Sequence, residues 1–246
     1  MDKTIKITLG LFLIVLAGFA ATIVYGDYVE TSYRNSLMST YSYTGTITTD
    51  ASLTNVTFFI PVPVDSTGNS PMVTHFSAHD MDGMPSDWKT ALFDTGKATL
   101  LKITTPAIIP PEGTSAARPD TITFSLVSEA KKPIDTKKPF GNSVMYRPVQ
   151  DLSTATCQPA DTTGTGSPQC SVFVTSVYAD YLSSPGATVT VRSTLSGKNS
   201  WTIFESQSNT YHAEFSAIMH GENHGWVVAS GTLATGIGSF DTPSLT

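Results

Sequence analysis

The run from Ile5 to Tyr25 constrains this chain more than any other feature, because it is apolar along its length and carries a single charge, Lys6, near its start. About 20 such residues, rising 1.5 Å each in a helix, match the roughly 30 Å hydrocarbon core of a bilayer. The reading is one transmembrane helix at the N-terminus. Lys3 and Lys6 precede the bulk of the run, whereas Asp27 and Glu30 follow it and the first later basic residue is Arg34. The positive-inside rule therefore predicts a cytoplasmic N-terminus, with everything from Asp27 onward outside and Tyr25, Tyr28 and Tyr33 suited to the outer aromatic belt. The competing reading is a cleavable secretory signal, which has a shorter apolar core of about 7–15 residues and small residues before the cut. Val24-Tyr25-Gly26 and Gly18-Phe19-Ala20 are the nearest approximations to such a site, and the length of the run favours a retained anchor.

An exported domain explains the two cysteines. Cys157 and Cys170 bracket the turn-rich QPADTTGTGSPQ and lack the CxxC spacing of a redox or zinc site, so a disulfide closing a hairpin-like excursion is expected. Ser and Thr make up roughly a quarter of the chain and charged residues 14%, a bias typical of exposed, glycosylated surfaces. Asn55-Val56-Thr57 is an N-glycosylation sequon, although the TFFIPVPV that follows reads as a strand able to bury it. A net charge of −6 argues against nucleic acid as a partner.

Past the membrane run, GDYVETSYRNSLMS lacks proline and keeps a helical spacing of Tyr28, Val29, Ser32 and Tyr33, so the helix is expected to continue outward, with Gly26 its weak point. From Tyr41 the period changes to two. About a dozen segments rich in β-branched and aromatic residues, among them YSYTGTITT, MVTHFSAH, ATVTVRSTL, SWTIFESQ, TYHAEFSAIM and GWVVASGTLA, alternate with turn clusters such as DMDGMPSD, LSSPG, LSGKN and HGENHG. The fold class that follows is mainly β: an antiparallel β-sandwich ectodomain on a single N-terminal transmembrane helix. The division is 1–26 for the cytoplasmic stub and anchor, 27–40 for the helical extension and 41–246 for the β domain. The proline-rich Pro106–Pro119 is the best internal boundary, yet one domain is favoured because such a stretch can equally be a loop within a sandwich.

No GxSxG, HExxH, Walker or dinucleotide fingerprint is present, so no catalytic residue is assigned and the chain is read as a protein without enzymatic activity. Two weak metal candidates remain. His220 and His224 flank Glu222, with His212 upstream and His75 and His79 elsewhere; imidazoles suit zinc, but the i,i+4 spacing converges on a metal only in a helix, and these are strand ends and turns. Asp80, Asp82 and Asp87 alternate around Gly83 as half of a calcium loop does, yet an EF-hand reading would place Ala78 and Lys89 at its first and twelfth positions. Cofactors are therefore expected to be none, with calcium or zinc as the alternative. KKPIDTKKP gathers Lys131, Lys132, Lys137 and Lys138 into one loop, suited to lipid headgroups, an acidic glycan or a neighbouring subunit, and Trp226 beside the histidine turn is a candidate aromatic anchor. For both, the plain alternatives are a solvated loop and a core tryptophan.

An apolar N-terminal helix that extends outward and carries a Ser/Thr-rich β head resembles the architecture of type IV pilins and archaeal surface-filament subunits. The resemblance rests on the stretch from Gly10 to about Ser39, with Lys3 and Lys6 similar to a prepilin leader; no Lys-Gly or Arg-Gly pair precedes the run, and Val15 stands where many bacterial pilins carry glutamate. It implies a filament subunit whose helix packs against copies of itself, and Ala17 and Ala21 supply small-xxx-small spacing. The expected function is a membrane-anchored cell-surface structural or interaction protein of an archaeon or bacterium, acting by binding or assembly through protein partners, self-association or a surface glycan. A filament subunit and an extracytoplasmic accessory or ligand-binding subunit of a membrane complex are the alternatives.

Overall fold

A computed structural model describes residues 3–96, 98–147, 149–158 and 167–240. The first element is one helix, α1 (Lys3–Ser36), unbroken at Gly26. Residues 38–40, expected to belong to the helical extension, instead open the first strand, because from Met38 the side chains alternate between core and surface. The strands are β1 (Met38–Thr49), β2 (Leu53–Pro61), β3 (Lys89–Asp94), β4 (Thr99–Ile108), β5 (Asp120–Glu129), β6 (Gln150–Ala155), β7 (Gln169–Leu182), β8 (Thr188–Thr202), β9 (Ser206–His220) and β10 (Asn223–Gly238).

The mainly β, antiparallel class holds, and all ten strands belong to one hydrogen-bonded sheet curled into half a barrel. Its order is β3-β4-β2-β7-β10-β9-β8-β1-β5, with β6 also pairing β7. The β9–β10 ladder runs from Ser216↔Ser230 to Asn209↔Gly238; residues 217–220 and 223–229 share no ladder pairs, so there β9 stays with β8 and β10 with β7. One core fills the inner face and unites residues from before and after the proline-rich loop, including Leu101, Phe124, Phe173 and Phe215. The inward sets expected from alternation, Val189, Val191 and Leu195 on β8 and Tyr211, Ala213, Phe215, Ala217 and Met219 on β9, are buried.

Among the described residues no second sheet covers that face. Two irregular segments do: 62–88 contributes Val62, Val64, Met72, Phe76, Met81 and Trp88, and 130–147 contributes Ile134, Val144, Met145 and Tyr146. Within the first lies a short helix, α2 (Val73–Ala78), where a strand was expected. Phe76 is wholly buried and stacks edge-on against Tyr43 at 5.0 Å, and His79 ends the helix in the left-handed region with φ 55°. Burying one such ring contributes about 1.5–3 kcal/mol, enough to override the weak strand preference of a six-residue stretch.

LSGKN is also not a turn. It lies inside β8, where a side chain at Gly197 would collide with the Tyr211 ring across the ladder; Gly45 under Phe124 and Gly231 under Phe173 repeat the arrangement. Each glycine makes room for an aromatic ring to lie over its strand. Replacing Gly197 by Ala should therefore lower stability by about 1–3 kcal/mol through overpacking, whereas Gly186→Ala, in an open turn, should be close to neutral; thermal melts of the two variants check this.

The phenols in this core have a pH signature. Burial pushes Tyr43 and Tyr181 up to about 12, and burial raises Tyr146 and Tyr211 well above the ordinary phenol value. An unfolded phenol ionises near 10, so the stability these groups contribute is fully present below that pH and is lost as pH rises toward the folded values. Chemical denaturation between pH 9 and pH 12 should show a midpoint that is flat up to about pH 10 and then falls, each fully buried phenol such as Tyr43 adding a slope of up to about 1.4 kcal/mol per pH unit.

Candidate functional site

The antiparallel register sorts the candidate residues to opposite ends of the head. The end nearest α1 holds the start of β1, the β8–β9 turn, the end of β5 and the end of β10; the far end holds the β1–β2, β7–β8 and β9–β10 turns. The lysine loop lies at the near end and HGENHGW at the far end. A single contact surface therefore cannot use both loops.

The lysine loop is held from inside. Asn199 and Asn209 face each other across β8 and β9, both buried. Asn199 Oδ1 accepts the Ile134 N–H at 2.9 Å and the Ser39 hydroxyl at 2.7 Å, while its Nδ2 donates to Ile134 O at 2.7 Å and to Asn209 Oδ1 at 2.9 Å. Thr136 Oγ1 donates to Asn209 Oδ1 at 2.9 Å. Ile134, Thr136 and Pro139 consequently point inward, and Lys131, Lys132, Lys137 and Lys138 are exposed. Asp135 Oδ1 accepts the N–H groups of Lys137 and Lys138, and Lys137 Nζ sits 4.3 Å from the Phe240 ring centroid, a cation–π contact.

Lys131 and Lys132 line a cleft of about 710 Å³ together with Tyr41, Asp65, Thr67 and Asn142. Asp65 has its carboxyl held below the usual range: partial burial pushes it up, but hydrogen bonds from the Thr67 hydroxyl and the Asn69 and Thr67 N–H groups, with the Arg147 charge, outweigh that. The cleft thus combines exposed ammonium groups with a carboxylate already committed to its own loop.

The outer face of the sheet carries the second feature. Trp226 is 59% exposed there, which overturns the reading of it as core. It meets Tyr178 at 5.6 Å between ring centroids; Tyr178 meets Phe59 at 5.4 Å, and Phe59 meets Phe93 at 5.6 Å. Lys102 Nζ lies 5.6 Å from the Phe59 ring. The four rings form an edge-to-face row across strands β10, β7, β2 and β3. Alternation alone does not reveal this row, since it depends on which strands are neighbours.

The metal candidates do not converge. His212 and His220 are eight residues apart on extended β9, a separation of about 27 Å. His212 Nε2 lies 3.9 Å from Glu214, which pairs with Arg192; His220 Nδ1 lies 3.4 Å from Thr188 Oγ1; and His224 Nδ1 lies 2.7 Å from Asp180. Asp80 pairs with His75 at 2.9 Å, Asp82 exchanges both backbone hydrogen bonds with Ser125 of β5, and Asp87 is exposed. The expected half calcium loop is a clip that ties residues 80–82 to the sheet. Among the described residues no three His, Cys, Asp or Glu side chains are grouped to hold an ion.

Asn55 is exposed, contrary to the expectation that its strand buries it: it takes φ 55° in a bulge of β2, where the β2–β7 register shifts between Thr54 and Thr57. Cys157 and Cys170 form the disulfide, with Cα atoms 5.1 Å apart, beside Ala234 and Ile237. Most of the loop it closes, including Gly164 and Gly166, lies outside the described residues. No protein-family model, curated protein or solved structure matches the chain.

Thiol labelling of the unreduced, denatured protein should modify neither cysteine, and prior reduction should expose both. Removing the bridge by Cys157→Ser with Cys170→Ser should cost up to about 3 kcal/mol, measured by denaturant unfolding of the double variant.

Proposed function

We propose that this protein is a single-pass, membrane-anchored surface protein whose β head acts outside the cell by binding or assembly. The observation that carries the reading is α1. Over Ile5–Tyr25 its large apolar side chains are exposed, and the helix from Ile7 onward is long and apolar enough to cross a membrane. Exposed leucine, isoleucine and phenylalanine on this scale are costly in water and favourable in lipid.

The helix is also joined to the head without a linker. Tyr33 packs edge-on against buried Trp201 at 5.7 Å, and Ser36 Oγ accepts the Thr202 N–H at 2.9 Å while donating to Ser32 O at 2.6 Å. A head presented on a stiff stalk suits contact with other surface components. With the lysine loop on the helix side, the surface best disposed toward an outside partner is the far end with HGENHGW and the aromatic row ending at Trp226. Asn55, in a bulge near the start of β2, is a candidate glycan carrier on the same side of the head.

The disulfide supports an oxidising location and hence an exterior head. Lys3 and Lys6 before the apolar run, against Asp27 and Glu30 after it, support an inside N-terminus. A filament subunit is the second reading: Ala17, Gly18 and Ala21 are exposed on α1, a small-residue stripe that permits close helix contact.

Protease added to intact cells should remove the head and leave α1 in the membrane fraction, as followed by antibodies to each part. Protection of the head in cells shown to be protease-accessible refutes the orientation. Electron microscopy of shed surface material separates the readings, since ordered fibres containing this chain favour the filament subunit over the anchored monomer.

A further inference from the structure

The turn between β8 and β9 reaches back along α1. Thr202↔Ser206 closes the hairpin, and Phe204 at its tip lies with its ring centroid 5.8 Å from Tyr28 and 6.2 Å from Tyr25. All three rings remain exposed, Phe204 by 65%, Tyr25 by 60% and Tyr28 by 51%. In water such a cluster leaves most of its apolar surface wet. The position of Tyr25 gives it a different setting, because Tyr25 is the last residue of the apolar run.

With Tyr25 at the edge of the hydrocarbon core, residues 26–36 add about 16 Å of helix beyond it. The headgroup layer on each side is roughly 5–8 Å thick. The end of the head from which α1 emerges then hangs on the order of 10 Å above the headgroups, and the Phe204 hairpin is the part that bridges the gap. The lysine loop belongs to the same end: its Ile134 is bonded to Asn199, three residues before Thr202, and its four ammonium groups point outward. At that height they lie within about one Debye length of the lipid surface at physiological salt. The acidic groups nearby are partly committed, Glu30 to Arg34 and Asp135 to the Lys137 and Lys138 N–H groups, while Asp27, Glu129 and Glu205 are not paired in this way.

We propose that the helix-proximal end of the head is a lipid-docking surface: Phe204, Tyr25 and Tyr28 sit together in the outer headgroup layer, and Lys131, Lys132, Lys137 and Lys138 face anionic headgroups above it. The inference rests on α1 spanning the membrane. The amphipathic tyrosine rings are favoured at this depth, the apolar Phe204 ring gains there by leaving water, and basic residues near an anionic surface add attraction. Docking at two places, the helix and the hairpin tip, fixes the tilt of the head and directs its far end outward.

The test uses the full chain with Phe204→Trp in a Trp226→Phe background, reconstituted in vesicles of neutral phosphatidylcholine or of phosphatidylcholine with phosphatidylglycerol. Insertion of α1 is read separately, by resistance to alkaline carbonate extraction. The emission added by residue 204, obtained by difference from the same background carrying Phe204, should be quenched at least twofold by lipids brominated near the glycerol end of the acyl chain and little by aqueous acrylamide. Charge reversal of the four lysines to Glu should reduce bromolipid quenching in the anionic vesicles only. If α1 resists extraction but the residue-204 emission responds to acrylamide and ignores brominated lipid, the docking surface is wrong while the anchor stands. Protection from both quenchers means that protein covers the ring, which also overturns the proposal. Loss of α1 to carbonate refutes the anchor on which it rests.

Discussion

The structure depends on covering one face of one sheet. Ten strands curled into half a barrel present a concave apolar surface, and among the described residues no second sheet closes it. Two connections do the covering, and each needs its own fastening because irregular chain has no ladder to hold it. Segment 62–88 is fixed by the α2 turn under Tyr43 and by the backbone exchange between Asp82 and Ser125. Segment 130–147 is fixed by the paired Asn199 and Asn209, by the Tyr146 hydroxyl on Ser193 at 2.7 Å and by the Tyr211 hydroxyl on Val144 O. Polar side chains buried in strands satisfy backbone groups that would otherwise be stranded in the core, where each unmade hydrogen bond costs about 1–3 kcal/mol.

That requirement links the core to the surface. The asparagine pair fixes Ile134 and Thr136 inward, and the four lysines on either side of them are exposed. The loop is therefore a rigid display of charge on the helix side. Ser36 and Tyr33 bind α1 to the end of β8, two to three residues from the same asparagine. Stalk, charged loop and hairpin tip thus share one short stretch of β8 as their common support.

Much of this was legible in the residues, for reasons of period and length. The apolar run marks a helix because only an uninterrupted stretch of that length matches a bilayer, and the inward faces of β8 and β9 can be read directly from alternation. LSGKN misleads because glycine and asparagine are ordinary turn formers; in β8 their roles are set by partners on another strand, Tyr211 over Gly197 and Asn209 beside Asn199. MVTHFSAH misleads because six residues are too few for period to decide, and the Phe76 pocket decides instead. The histidines and aspartates look like a ligand set only while their positions in space are unknown. Along extended β9 His212 and His220 lie far apart, and His75 and His224 each pair with a separate aspartate, Asp80 and Asp180. Asn209, matched to Asn199 across a tight hairpin and on an inward position, was the available sequence signal for the buried network, and it becomes informative only once the hairpin register is known.

Under the proposed anchoring, the placement of polar and apolar surface lets the head be carried on α1 without being pulled into the membrane with it. Most outward positions of β1 and β8 are hydroxyl residues, Ser42, Thr44, Thr46 and Thr48 on one and Thr190, Thr194 and Ser196 on the other, half-buried among one another. Such a face is well hydrated and offers lipid no gain from burial. Among the described residues the exposed aromatic rings are those of α1, Phe204 near its emergence, and the Phe93 and Trp226 ends of the row, while exposed aliphatic side chains such as Ile109, Val127 and Ile218 are dispersed. The first two share one end of the molecule, where the proposed lipid contact would oppose rotation of the head about α1. The third ends at Trp226 beside the β9–β10 turn, at the opposite end of the head from Phe204, so under the proposed lipid docking it stays available. The proposed function needs this separation, because an aromatic row beside α1 would be drawn into the same lipid contact as Phe204.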